Sequence, residues 1–156
     1  MSEQMNYAGP DGAIAHGMHR VVISGQGATV QLTRKQSGAL CLFDRAAGIV
    51  YTLPTPVVGM QFEFATTVTV TSNASRVITR VPASEFLGGA VNLVIAASAV
   101  TLGAVANGTS ITQMSGNGST TGGVNGDAFK VTAVSATRWQ VEGIVSASGA
   151  LATPFA

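Results

Sequence analysis

Charged side chains are scarce in this chain of 156 residues. Lys, Arg, Asp and Glu together make up 10% of it, and the formal net charge is +1, whereas charged residues form about a quarter of a typical soluble domain. Such a chain either covers part of its surface with copies of itself or a partner, or presents Ser, Thr, Asn and Gln to water. Both interpretations stay open here. The basic pair Arg34–Lys35 is too short to indicate nucleic-acid binding.

Cysteine and histidine are rare as well. Cys41 is the only cysteine, which excludes an internal disulfide and a zinc site built from cysteines. It lies in an apolar run, so we expect a small buried hydrophobic residue. His16 and His19 form an H-x-x-H pair, but the surrounding pattern is not helical and no glutamate follows the first histidine. We therefore predict no bound metal and no cofactor. We also predict no catalytic residues, because a Ser–His–Asp triad would have to take its histidine from this segment.

Long hydrophobic runs suited to a membrane or a secretory signal are missing too. Residues 1–17 contain no basic head followed by an apolar stretch, so we expect no secretory signal. The most apolar region, 90–106, is interrupted by polar residues such as Asn92, Ser98 and Thr101, which argues against a membrane span. We expect the protein to be made and assembled in a cytoplasm.

The chain does have a regular alternation of apolar and polar residues. From Val21 onward, apolar residues recur at every second position in short segments, as in strands with one buried face. The clearest segment, 59–71, includes Met60, Phe62 and Phe64. A straight strand of that length would span about 40 Å, so we expect a bend or a strand that takes part in two sheets. About nine or ten such segments and no confident helix predict an all-β single domain, an antiparallel β-sandwich that is jelly-roll-like or barrel-like.

Turn signals separate these segments. We predict hairpins at 44–48 and 72–75, a tight turn at Asn107–Gly108, and a last hairpin built from residues 127–134 and 137–145. The segment 115–126 is almost entirely Gly, Ser, Thr and Asn, and we expect it to be a mobile loop.

The composition divides the chain into three regions. Residues 1–20 are predicted to be an extended N-terminal arm, residues 21–146 the β-sandwich domain, and residues 147–156 a C-terminal tail. Extended arms are either disordered or lie along a partner, where they become ordered. We take the second alternative as a hypothesis for residues 1–20 and add the Phe155 end of the chain as a second contact region. The predicted contact residues are Met5, Tyr7, Pro10, Ile14, Pro154 and Phe155.

Two carboxylates, Glu63 and Glu142, fall in the middle of predicted strands on their polar faces. Carboxylate pairs of this kind hydrolyse glycosidic bonds in many enzymes. Those sites are normally lined by aromatic side chains, but this chain has one Trp, two Tyr and six Phe, mostly at predicted core positions. We therefore predict surface carboxylates or an inter-subunit ion pair, and no enzyme. Two carboxylates facing each other across an open groove would revive the hydrolase interpretation.

Two regions, about residues 37–70 and the last twenty residues, carry further motifs. They are Ser37–Gly38, LFDRAAG at 42–48, YTLP at 51–54, GMQFEF at 59–64, Trp139-x-Val141-x-Gly143, Ser148–Gly149 and TPFA at 153–156. Together they resemble small structural proteins of tailed bacteriophages, in particular head decoration proteins, also called cement or capsid-stabilising proteins. Similar units occur in phage tail-fibre and other virion proteins, so a tail-associated receptor- or glycan-binding module is the alternative.

The resemblance implies a β-rich homotrimer that binds the outer surface of a phage capsid. Such proteins stabilise the shell by bridging neighbouring major capsid protein subunits and catalyse no reaction. Contacts that are weak singly become strong when one molecule spans several subunits. We accordingly expect a location on the capsid exterior of the virion and the major capsid protein as partner. We expect no nucleic acid, membrane or small-molecule ligand.

Overall fold

The alternating pattern forms two β-sheets packed face to face, as a computed structural model of the protein shows for residues 20–95, 97–98 and 100–156. A 3-10 helix at Arg34–Gln36 is the one helical element of this part of the chain. Its strands are β1 (Val22–Ile23), β2 (Thr29–Gln31), β3 (Leu40–Phe43), β4 (Val50–Thr52), β5 (Gln61–Thr66), β6 (Ser75–Ile78), β7 (Phe86–Ile95), β8 (Val100–Asn107), β9 (Gln113–Gly116), β10 (Ala128–Ala133) and β11 (Arg138–Ser146).

The larger sheet, called sheet A below, has seven strands in the order β1-β3-β5-β10-β11-β7-β8. The smaller sheet, called sheet B, has four strands in the order β2-β4-β6-β9. Both sheets contain parallel and antiparallel pairs. The prediction of an all-β single domain is confirmed, although the sheets are mixed where the sequence suggested antiparallel pairing.

The first six strands alternate between the two sheets. β1, β3 and β5 lie parallel in sheet A, and β2, β4 and β6 lie parallel in sheet B. Each loop between consecutive strands therefore crosses the sandwich. Two predicted hairpins are wrong for this reason, because the segments 44–48 and 72–75 lead from sheet A to sheet B.

The later strands follow the sequence prediction more closely. β7 and β8 form an antiparallel pair, and so do β10 and β11, with Val131 opposite Val141. The expected bend is present. β5 ends at Thr66, and the chain bends at the next two residues, Thr67 and Val68. The turn at Asn107 is also present, with its side-chain oxygen accepting the N–H groups of the following residues. That turn leads from sheet A into sheet B and closes no hairpin.

Four aromatic rings fill one end of the core between the sheets. Phe64 lies at their centre, with ring centroids 5.2 Å from Phe129, 5.5 Å from Tyr51 and 5.8 Å from Phe43. Tyr51 belongs to sheet B and the other three rings belong to sheet A. The cluster therefore joins the two sheets, and its edge-to-face contacts add to the burial of apolar surface.

Cys41 is fully buried, as its apolar neighbours indicated. Burial raises the pKa of its thiol to about 12, and only the thiolate is an effective nucleophile. We expect a disulfide reagent such as DTNB to leave the native protein unlabelled at mildly alkaline pH and to label it rapidly in urea. Absorbance of the released thiol follows the reaction. Rapid labelling of the native protein would show that the side chain is accessible.

The first two residues of the predicted mobile loop 115–126 belong to β9, and the rest of that segment is held by internal hydrogen bonds. The Asn117 side-chain oxygen accepts the N–H groups of Ser119 and Thr120 at 2.9 and 2.8 Å. The Gly118 N–H donates to the carbonyl of Gly122 at 2.7 Å. These bonds make the segment a defined turn, which is the physical reason it differs from a Gly/Ser linker of the same composition.

Asp127 closes this turn from inside the protein. The residue is only 4% exposed, and its carboxylate accepts the N–H groups of Gly123 and Val124 at 2.8 and 3.1 Å. Its other oxygen accepts the Ser146 N–H at 2.7 Å and the Ser146 hydroxyl at 2.5 Å. One buried carboxylate therefore ties the turn to β11.

The last ten residues fold back onto the sandwich. The N–H groups of Ser148 and Gly149 donate to the Ser119 carbonyl, each at 2.9 Å. Phe155 forms an isolated antiparallel bridge with Met114 of β9. The tail covers the outer edge of sheet B. The predicted boundary between domain and tail at residue 146 therefore does not separate two structural units.

The predicted contact residues divide into two groups. Pro154 and Phe155 are buried within their own chain, with Phe155 only 7% exposed. In this fold both residues pack within their own chain and leave little surface for a partner, so their predicted contact role stays a prediction. The other predicted contact residues lie outside the described part of the chain. They are Met5, Tyr7, Pro10 and Ile14.

Candidate interaction surface on sheet A

The outer face of sheet A presents a row of alternating charges. Strand alternation turns Val131 and Val141 into the core and leaves Lys130 and Glu142 outside. The register places Glu63 opposite Lys130, and Lys130 opposite Glu142, on three neighbouring strands. The side chains of these residues therefore follow one another across the sheet.

These charges are paired. The guanidinium of Arg20 lies 2.5 Å from Glu63, and the Lys130 ammonium lies 2.9 Å from Glu142. The hydrogen bond that Lys130 donates to Glu142, together with the negative charge of that carboxylate, raises the pKa of Lys130. Arg20 also donates to the Gly38 carbonyl at 2.8 Å, which fixes the start of the described chain to this face. The charges form a ladder of the sequence plus, minus, plus, minus.

An apolar row lies beside the charge ladder. Leu42, Ala65, Ala128 and Ile144 occupy equivalent positions on four adjacent strands. Ile144 is 61% exposed. An open groove of about 480 Å³ runs between the two rows, lined by Ala65 and Ala128 together with residues of the charge ladder. This face therefore combines a narrow charged strip with a partly exposed apolar strip.

The two carboxylates singled out in the sequence do line the same open groove. Lys130 stands between them in the register, and each is ion-paired and well exposed, 45% for the Glu63 side chain and 63% for Glu142. A general acid is kept protonated by a buried, uncharged environment, and neither carboxylate has one. The arrangement supports an ion-pair ladder more than an acid–base pair.

Exposed aromatic side chains, on which sugars stack, are missing from the described residues. The rings of Trp139, Tyr51, Phe62 and Phe64 have no exposed surface. The turn at 115–126 contains no aromatic or charged residue. Phe86 and Phe129 are half-buried, so the described surface has no fully exposed ring on which a sugar could stack.

Metal and membrane features can be assessed only for the residues that the structure describes. Within them, no three His, Cys, Asp or Glu side chains come together as a metal site. His16 and His19 lie outside those residues. No helix in the described ranges is both long and apolar enough to cross a membrane.

Comparison of the chain with protein-family models, curated proteins and solved structures finds no match. The candidate surface thus rests on its own geometry. Sequence reasoning identified Glu63 and Glu142 but missed Arg20 and Lys130. Lys130 was within reach, because it and Glu142 lie on the polar faces of the two arms of the predicted last hairpin, and the observed register places them opposite each other.

Proposed function

We propose that this protein is a structural virion protein that binds the outer surface of a phage capsid through the outer face of sheet A. It stabilises the shell by bridging neighbouring major capsid protein subunits. The choice of a capsid as the partner comes from the resemblance of the sequence motifs to those of head decoration proteins. The observation that carries the choice of surface is the partly exposed apolar row, which ends at the 61% exposed Ile144 and is flanked by the charge ladder.

The physical properties of this face suit a protein partner. Protein interfaces bury an apolar centre within a polar rim, and arrays of charges fix the relative orientation of two surfaces. Seven strands span about 29 Å at roughly 4.8 Å per strand. That width provides room for an interface of standard size, which takes about 800 Å² from each partner.

A charge placed in the apolar row tests the proposal. Ile144→Lys is expected to fold normally, because the side chain is mostly exposed. Its affinity for expanded capsids that lack this protein is expected to fall at least about tenfold, because the new ammonium is desolvated at the interface. Co-sedimentation with capsids measures the affinity, and calorimetry measures the thermal stability of the decorated shell.

Val58→Lys is the matched control, since Val58 is 68% exposed but lies in the loop between β4 and β5. It is expected to bind like the unmodified protein. Equal binding by both variants would show that capsids contact another surface. Failure of the unmodified protein to bind any capsid preparation would reject the proposed function itself.

A further inference from the structure

The outer edge of β8 is the long open edge of sheet A. β8 pairs with β7 on one side, and no strand in the described part of the chain pairs with its other side. The opposite edge strand, β1, has two residues, whereas β8 has eight. An edge of this length displays a row of backbone N–H and C=O groups that can pair with another strand.

The devices that normally protect such an edge are missing from β8. No charged residue occurs between positions 86 and 126, and β8 contains no proline. The register with β7 runs without a bulge from Gly88–Asn107 to Ile95–Val100. Val100 and Val105 are 50% and 70% exposed. Natural edge strands usually carry a lysine, a proline or a bulge to prevent pairing with other chains.

The register also shows which backbone groups face outward. In an antiparallel pair, every second residue bonds to the neighbouring strand and those between point away. Gly108, opposite Leu87, donates its N–H to that residue at 2.9 Å. Counting back from Gly108 in steps of two residues reaches Ala104, whose backbone therefore bonds to β7. Gly103 lies between these positions, so its backbone groups do not bond to β7. The outward-facing backbone groups of β8 are therefore those of Thr101, Gly103, Val105 and Asn107.

We infer that β8 pairs antiparallel with β8 of a second copy of this chain, about a twofold axis at Gly103. In that register each Thr101 lies opposite a Val105, and each Leu102 lies opposite an Ala104. A charged residue on a self-paired edge would lie close to its own copy, and this edge has none. The residue on the axis has no side chain to meet its mate.

This contact is independent of capsid binding and differs from the trimer that the resemblance implies. A twofold contact uses the same patch on both copies and joins them in pairs. The product is a continuous sheet of two seven-stranded halves. The outer face of each half would then stay available to the shell.

Proline at position 103 tests the inference with little disturbance of the monomer. Gly103→Pro removes one outward N–H that β7 does not use, and edge strands accept proline at such positions. Gly103→Ala keeps that N–H, and its Cβ would meet nothing closer than the Asn92 side chain at 4.0 Å. Sedimentation equilibrium is expected to give the mass of two copies for the unmodified protein and Gly103→Ala. For Gly103→Pro we expect the mass of one copy, with an unchanged circular dichroism spectrum.

A mass of one or three copies for the unmodified protein, or a dimeric Gly103→Pro, would overturn the inference. If the proline variant does not fold, amide hydrogen exchange on the unmodified protein still tests the inference.

The Thr101, Gly103 and Val105 amides are expected to be protected from exchange, and this protection is expected to fall on dilution. Rapid exchange of these amides at high protein concentration would overturn the pairing. Protection that arises only on capsids would assign the edge to a shell-protein strand and also overturn it. A dimer that fails to bind capsids would reject the proposed function alone.

Discussion

Replacing Phe64 with alanine is expected to lower the free energy of unfolding by about 3–5 kcal/mol. The ring is fully buried and contacts three other aromatic rings from both sheets. Its removal takes away apolar burial and leaves a cavity that rings anchored in separate strands cannot easily close. Urea unfolding followed by tryptophan fluorescence measures the loss, because the single Trp139 is buried in the same core.

Phe64→Leu keeps much of the volume and is expected to cost about 1.5 kcal/mol or less. Val58→Ala, on the surface, is expected to change stability by no more than about 0.5 kcal/mol. If Phe64→Ala unfolded at the same urea concentration as Val58→Ala, the aromatic cluster would not be the centre of the core.

Replacing Asp127 with alanine is expected to cost about 3 kcal/mol or more, since several hydrogen bonds to a buried charged group are lost together. The N–H groups of Gly123 and Ser146 would lose their acceptor, and the turn would lose its link to β11. Urea unfolding gives the stability, and hydrogen exchange at the Gly123 amide reports the local opening of the turn.

Asp127→Asn keeps the size and one acceptor oxygen, so we expect about half of that loss. Asp44→Ala is the matched control, because Asp44 accepts a single exposed N–H from Gly25; its expected cost is about 0.5 kcal/mol. If Asp127→Ala had the same free energy of unfolding as the unmodified protein, water would be accepting the hydrogen bonds of the missing carboxylate at no cost in stability.

Alternation predicted the strands well because it reports a local property, namely which side chains face the core. Tyr51, Phe62 and Val141 are buried where the pattern placed them. The same pattern does not identify the sheet to which a strand belongs. A polar turn at 44–48 suits a loop that returns to the same sheet as well as one that crosses the sandwich, so the two predicted hairpins were wrong. Only long-range packing distinguishes these outcomes.

The candidate surface was harder to predict for a related reason. The charge ladder brings together residues far apart in the chain, such as Arg20, Glu63 and Lys130, and their proximity depends on strand order. The intramolecular burial of Phe155 was not predicted, because a lone aromatic residue near a chain end was expected to contact a partner. Its burial depends on the tail returning to Met114, and no local pattern records that return.

The alternation of β1 to β6 between the two sheets has a consequence for how the protein unfolds. Consecutive strands lie in different layers, so each parallel pairing within a layer closes a loop that contains a strand of the other layer. Damage in one layer is therefore transmitted to the other along the chain as well as across the core. This half of the molecule is expected to melt as a single cooperative unit, with no stage at which one sheet persists alone.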